Sequence, residues 1–118
     1  MKTINLDATA KELHDNAVAK GFWEPNKSDT HIIFYLKQLA MIHSEVSEVL
    51  EAIRKEKGAE KIVEEFADII IRVLDLYWGM NRDGILHTEE GFNISLHDVF
   101  EEKIGINRER PRMHGVLA

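Results

Sequence analysis

His43-Ser-Glu-Val-Ser-Glu-Val-Leu-Glu-Ala-Ile-Arg54, followed after nine residues by Glu64-Glu-Phe-Ala-Asp-Ile-Ile-Ile71, decides how this chain is read. Both segments place apolar residues at helical spacing. Both also carry an acidic pair three residues apart, Glu45 with Glu48 and Glu65 with Asp68. Residues three apart share one side of a helix, a turn from each other. Two such helices packed face to face aim four carboxylates into one small volume. Carboxylates at that density stay ionised only where cations sit among them. Hard oxygen ligands in this number point to magnesium or manganese, and so to phosphate chemistry.

Working outward, the first segment belongs to a helix expected from about Thr30 to Lys57, with Ser28 or Asp29 as N-cap and Gly58 at the C-terminal cap position. Ile32, Leu36, Leu39, Ile42, Val46, Val49 and Ile53 form its main apolar stripe. Lys37, Ser44, Glu51 and Arg54 fall on the opposite, wet side. The second segment belongs to a helix expected from about Ala59 to Tyr77, ending before Gly79. Its stripe of Ile62, Phe66, Ile70, Val73 and Tyr77 is widened by Ala67, Ile71, Leu74 and Trp78. A helix so broadly apolar touches more than one neighbour, which in a chain of few helices favours a homo-oligomer. A first helix is expected over about residues 5–20, ended by Gly21, and a loop from Phe22 to Lys27. After a loop over Asn81–Asn93, Ser95 opens a short fourth helix reaching Lys103 or Ile104, with Asp98 placed as in a capping box. The expected fold is all-α, with two long central antiparallel helices.

Helical phase separates the four carboxylates. At about 100° per residue, Glu45 shares a flank with Phe34, Met41 and Ala52, and Glu48 lies at the edge of that flank. A carboxylate among apolar neighbours costs several kcal/mol unless it is paired or metal-bound. Glu65 flanks the third-helix stripe beside Ile69. Asp68 falls nearer the polar side, with Glu64 and Asp75, and Arg72 four residues on offers it a plain surface ion pair. A di-iron site of the ferritin type needs Glu-x-x-His from two helices, and neither motif has a histidine in that place. His43 points to a different side, and all-carboxylate ligation favours magnesium over iron.

Composition narrows the classes further. The 118 residues suffice for one domain spanning residues 1–118. A net charge of −6 argues against a binder of nucleic-acid polymers, which would carry a basic patch. With no cysteine, disulfides and thiol nucleophiles are excluded. Met1–Asp7 does not read as a signal peptide, and no apolar run approaches the roughly 18 residues of a membrane span. A cytoplasmic location, away from membranes, is expected.

The acidic chain nonetheless ends in a basic tail from about residue 105, expected to be irregular: Lys103-x-x-x-Asn107-x-x-Arg110-Pro111-x-x-His114-Gly115, with Arg108 and Arg112 interspersed. Arginine grips phosphate oxygens in a fork, and lysine meets them as a point charge. Asn107 could bond a phosphate or a sugar hydroxyl. A solvated terminus is the bland alternative. Cations beside a metal-filled acidic cluster would neutralise a triphosphate from two sides.

The two acidic motifs in order, followed by Lys-x-x-x-Asn-x-x-Arg-Pro, resemble the MazG-like family of all-α nucleoside triphosphate pyrophosphohydrolases, over most of residues 36–115. The short single-domain form is similar to phage and bacterial members, which for a phage-encoded chain would mean the host cytoplasm. The resemblance implies a helical bundle completed as a homodimer or tetramer. It implies hydrolysis of a (deoxy)nucleoside triphosphate between the α and β phosphates, giving monophosphate and pyrophosphate, with two or more Mg2+ ions (or Mn2+) per site. Carried over residue by residue, it makes Glu45, Glu48, Glu65 and Asp68 metal ligands, with Glu45 or Glu48 as the base for a metal-bound water. It makes Lys103, Asn107, Arg110 and His114 the phosphate-binding residues. Small members of this type suggest control of a deoxynucleotide pool, with dGTP among the candidate substrates.

A base needs an aromatic platform and a hydrogen-bonding partner, for which Trp23, His31, Phe34, Tyr35 and Gln38 are the candidates. Core packing competes for the three aromatics. His87 and His97 read as surface residues. Against the enzyme stand two alternatives: a non-catalytic helical interaction module and a divalent-metal binding protein. A metal buffer has no need of Lys103, Asn107 and Arg110.

Overall fold

The computed structural model describes residues 3–24 and 30–111. They form four helices, α1 (Leu6–Ala19), α2 (His31–Arg54), α3 (Ala59–Arg82) and α4 (Leu96–Glu109), and no strand. The all-α expectation therefore stands. The 83–95 connection holds a single isolated bridge, His87 to Asn93. Among the described residues, no helix is long and apolar enough to cross a membrane.

Local chemistry sets the helix ends. Thr30 caps α2, its side chain accepting from the Ile33 amide. The expected caps Ser28 and Asp29 lie outside the described residues, as do Pro25, Asn26, Arg112 and His114. α2 stops three residues short of expectation because Glu56 takes a left-handed φ of 50°. The Glu56 and Lys57 amides then bond back to the carbonyls of Ile53 and Ala52. Gly58 does not cap α2. With φ at 97° it turns the chain into α3 as that helix's N-cap, a conformation that favours glycine.

α3 runs straight through Gly79 to Arg82, past the expected stop. The reason is packing. A Cβ at Gly79 would lie 2.1 Å from the indole of Trp23, so the missing side chain makes room for that ring. α4 likewise passes through Gly105 and extends to Glu109, so the first part of the expected irregular tail is helical. Ser95 caps α4 by accepting from the Asp98 amide and donates its own hydroxyl to Asp7 at 2.5 Å. His97 is not a free surface residue. Its Nδ1 accepts from the Leu6 amide and its Nε2 meets Glu101, tying α4 to the start of α1.

α3 is the central element, packed on one side by α1 and on another by α2. α2 and α3 run antiparallel: Tyr35 near the start of α2 bonds Asp83 at the end of α3, and Glu45 midway bonds Arg72 midway. Phe34, Tyr35 and Leu76 form the core, flanked by Trp23, Ile42 and Met80. Burial, reinforced by the 2.5 Å bond to Asp83, pushes the Tyr35 hydroxyl up to about 12, so it stays a donor throughout the neutral range.

Most of the apolar stripe expected to bury α2 faces outward instead; of its seven residues Val49 is buried and Ile42 packs half-buried against the core. Ile32, Leu36, Leu39, Val46 and Ile53 are exposed, and the buried side is Phe34, Tyr35, Val49 and Ala52. Phe66, Ile70 and Val73 on α3 are exposed as well. Periodicity identified an apolar side but not which neighbour covers it.

Candidate functional site

Antiparallel pairing of α2 and α3 sets Glu45 opposite the segment from Glu65 to Arg72. Glu45, Glu65 and Asp68 each bring a carboxylate oxygen to within 4.8 Å of the other two. Glu45 is largely covered, as its helical flank predicted, Glu65 is buried at 2% exposure, and Asp68 is open to solvent. Glu48 is exposed and stands outside this trio, in a shallow depression with Ser44, Ser47 and Glu51.

Two cations from α3 hold two of the three carboxylates. Lys61, in the first turn of α3, reaches Glu65 one turn on at 3.0 Å. Arg72 does not take the surface pair with Asp68 that its spacing offered. It crosses to α2, and its Nε donates to Glu45 at 2.8 Å. The hydrogen bond to Glu65 raises the Lys61 ammonium above the usual lysine range, and the charges of Glu65, Glu64 and Glu48 add to it. A buried carboxylate such as Glu65 requires a positive partner, and here a flexible lysine supplies one. Three carboxylates at this spacing, two of them held by exchangeable cationic side chains and the third open to solvent, could together hold a hard divalent cation.

Beside the trio opens a cleft of about 530 Å³ between α1, α2 and α3. Glu45, Asp68 and Arg72 line one part, and Gln38, Asn16 and Asp75 another, with Phe22, Met41 and Ile71 as apolar wall. Gln38 lies seven residues before Glu45 on α2, and Asp75 seven after Asp68 on α3. Two helical turns, roughly 10 Å at 1.5 Å per residue, therefore separate the acidic end from the amide end.

Of the residues proposed for a base pocket, Gln38 alone lines the cleft. Phe34 and Tyr35 pack in the core, and Trp23 packs against it. His31 is exposed at 70% and lies 3.8 Å from Asp83. Lys103, Asn107 and Arg110 sit on α4 or at its end, and α4 packs on α1. Within the described residues none of the three lines the cleft. His114 lies outside the described residues.

Sequence reasoning passed over Lys61, Asn16, Phe22 and the group formed by Asp75, His14 and Trp23. Asp75 Oδ1 accepts from Trp23 Nε1 at 2.8 Å and pairs with His14 Nδ1 at 2.9 Å. Asp75 had a legible signal, since its spacing of seven from Asp68 keeps it on the same side of α3. Its partners are 52 and 61 residues away in the chain, beyond any local pattern.

No family model matches the chain, and neither a curated protein nor a solved structure matches it.

Proposed function

We propose that this chain is a MazG-like pyrophosphohydrolase that cleaves (deoxy)nucleoside triphosphates between the α and β phosphates, releasing monophosphate and pyrophosphate. The observation that carries the reading is the convergence of Glu45, Glu65 and Asp68 at one end of a cleft of nucleotide size. These three carboxylates would hold Mg2+ or Mn2+, two or more ions per site. Ions held there would supply Lewis-acid chemistry, activating a water and offsetting charge on the leaving pyrophosphate.

The chain's own groups divide the remaining work. Arg72, freed from Glu45 when that carboxylate ligates, stays at the cleft, where its planar fork suits phosphate oxygens. Glu48, one turn from Glu45 and outside the trio, is the carboxylate left to accept a proton from the attacking water. Phe22, Met41 and Ile71 offer an apolar wall, and the Gln38 and Asn16 amides lie toward the far end where a base would lie. Lys103, Asn107 and Arg110, spaced four and three apart, share one face of the α4 end. In this reading they contribute to phosphate binding in an assembly of more than one chain.

A second copy of this chain is the proposed cover for the exposed apolar residues of α2 and α3. Ile32 to Ile53 extends over most of α2, and a stripe so long and free of charge is self-complementary. Light scattering is expected to give at least twice the chain mass of 13.6 kDa, and a monodisperse single-chain mass overturns the assembly.

The test of activity is incubation with each common dNTP and Mg2+, followed by product separation. Monophosphate plus pyrophosphate supports the reading, and orthophosphate plus diphosphate indicates a different bond cleaved. The separation of α4 from the cleft favours one alternative, a divalent-cation binder without nucleotide chemistry. Absence of product from every nucleotide, with Mg2+ or Mn2+, selects it.

A further inference from the structure

Among the described residues, Asp75 is the one carboxylate lining the end of the cleft away from the acidic trio, and its geometry is fixed. Both of its hydrogen bonds fall on Oδ1, from Trp23 Nε1 at 2.8 Å and His14 Nδ1 at 2.9 Å. Oδ2 has no hydrogen-bond partner among the described residues. The carboxylate is 17% exposed and lines the cleft beside Gln38 and Asn16. Two aromatic donors on one oxygen leave a single acceptor free and prevent the group from turning.

The support beneath Asp75 is costly to the fold. His14 is 1% exposed and touches the Trp23 ring edge-on at 4.5 Å. Its second nitrogen, Nε2, is buried with no partner. An orphaned buried nitrogen costs roughly 1–3 kcal/mol, and an apolar residue there would pack without that cost. What His14 supplies, and an apolar residue could not, is a donor that holds Asp75.

We propose that Asp75 reads the nucleobase, its free oxygen accepting from an exocyclic amino group. The inference rests on the pyrophosphohydrolase reading above and adds a substrate class to it: triphosphates of amino-bearing bases (cytosine, adenine, guanine) in preference to uracil and thymine. The phosphates lie at Glu45 and Asp68, and two helical turns away the base edge meets Asp75. A base with a carbonyl at the contact point sets one acceptor against another and leaves a charged oxygen unpaired. A hydrogen bond to a charged group contributes about 1.5–3 kcal/mol, so discrimination of roughly ten- to a hundredfold is expected.

The test measures kcat/KM for matched pairs differing at the amino group, dCTP against dUTP and dGTP or dATP against dITP. In the unaltered protein the best amino-bearing substrate should exceed its partner by roughly ten- to a hundredfold. Asp75→Asn keeps an oxygen for Trp23 and His14 but offers an amide to the cleft. Its ratio should fall to within about threefold of unity. A merely structural role lowers both members of a pair alike and keeps the ratio. Hydrolysis by the unaltered protein without discrimination overturns the inference and leaves the activity standing, and so does discrimination that survives in Asp75→Asn. No hydrolysis of any triphosphate removes the activity and the inference together. The measurement on the unaltered protein decides even where the variant does not fold.

Discussion

Asp68→Asn is expected to lower kcat/KM by about a hundredfold or more, close to 3 kcal/mol of transition-state stabilisation, while the helical circular-dichroism signal stays unchanged. Asp68 is solvent-exposed on α3, so its replacement by a neutral isostere removes no buried contact. What it removes is one negative charge from a group of three carboxylates whose ligand atoms lie within 4.8 Å of one another. A divalent cation loses a charged ligand there and gains a weaker neutral one. Arg72 is already committed to Glu45 at 2.8 Å, so no ion pair with Asp68 is lost. If Asp68 were simply a solvated surface charge, the variant would turn over substrate like the unaltered protein. That outcome would take Asp68 out of the site.

Gly79→Ala carries the largest expected effect on stability. In an exposed helix interior this change is favourable by about 1 kcal/mol, because alanine is the better helix former. Here the added Cβ would stand 2.1, 2.5 and 2.6 Å from three carbons of the Trp23 indole. That ring cannot easily yield. Its Nε1 is bonded to Asp75, Phe34 lies tilted against it at 5.0 Å, and the Arg82 guanidinium lies 5.6 Å from its centroid. Overpacking of this kind costs typically 1–3 kcal/mol, and losing the bond to the Asp75 carboxylate adds about 1.5–3. The net expectation is destabilisation by about 2 kcal/mol, seen as a melting temperature lowered by roughly 8 °C. A variant that melts higher than the parent would show that helix propensity prevails and that Trp23 does not fill the space beside Gly79.

What could be read from the sequence, and what could not, follows from the range of the interactions. The two long helices were legible because each depends on residues three and four apart. The flank argument for Glu45 also depends on phase alone, and the structure covers that residue as expected. Phase could not say that most of the α2 stripe would face outward while Val49 and Ile42 turn inward, since burial depends on where α3 and α1 lie. Gly79 and Gly105 looked like helix stops, yet neither adopts a left-handed conformation. Gly79 is a packing residue, and only the fold brings Trp23 to it. Lys103 and Arg110 were noted for their charge and Asn107 for its amide, although spacings of four and three already carried the helical signal of α4. The acidic quartet was read as a unit, but Glu48 lies at the edge of its flank and stays outside the cluster. Asp75 was assigned to the polar side of α3, because the two donors that hold it come from α1 and from the turn after it.

The central claim is that Glu45 and Glu65 exchange their protein cations, and together with Asp68 hold divalent ions that also grip a polyphosphate. The most direct measurement is a crystal structure grown with excess Mn2+ and a deoxynucleoside triphosphate carrying an imido bridge between the α and β phosphates. The expected result is anomalous density within roughly 2.1–2.2 Å of oxygens from all three carboxylates, with Lys61 and Arg72 released and the base at Asp75. Manganese bound elsewhere, with Glu65 still on Lys61 and Glu45 still on Arg72, would contradict it.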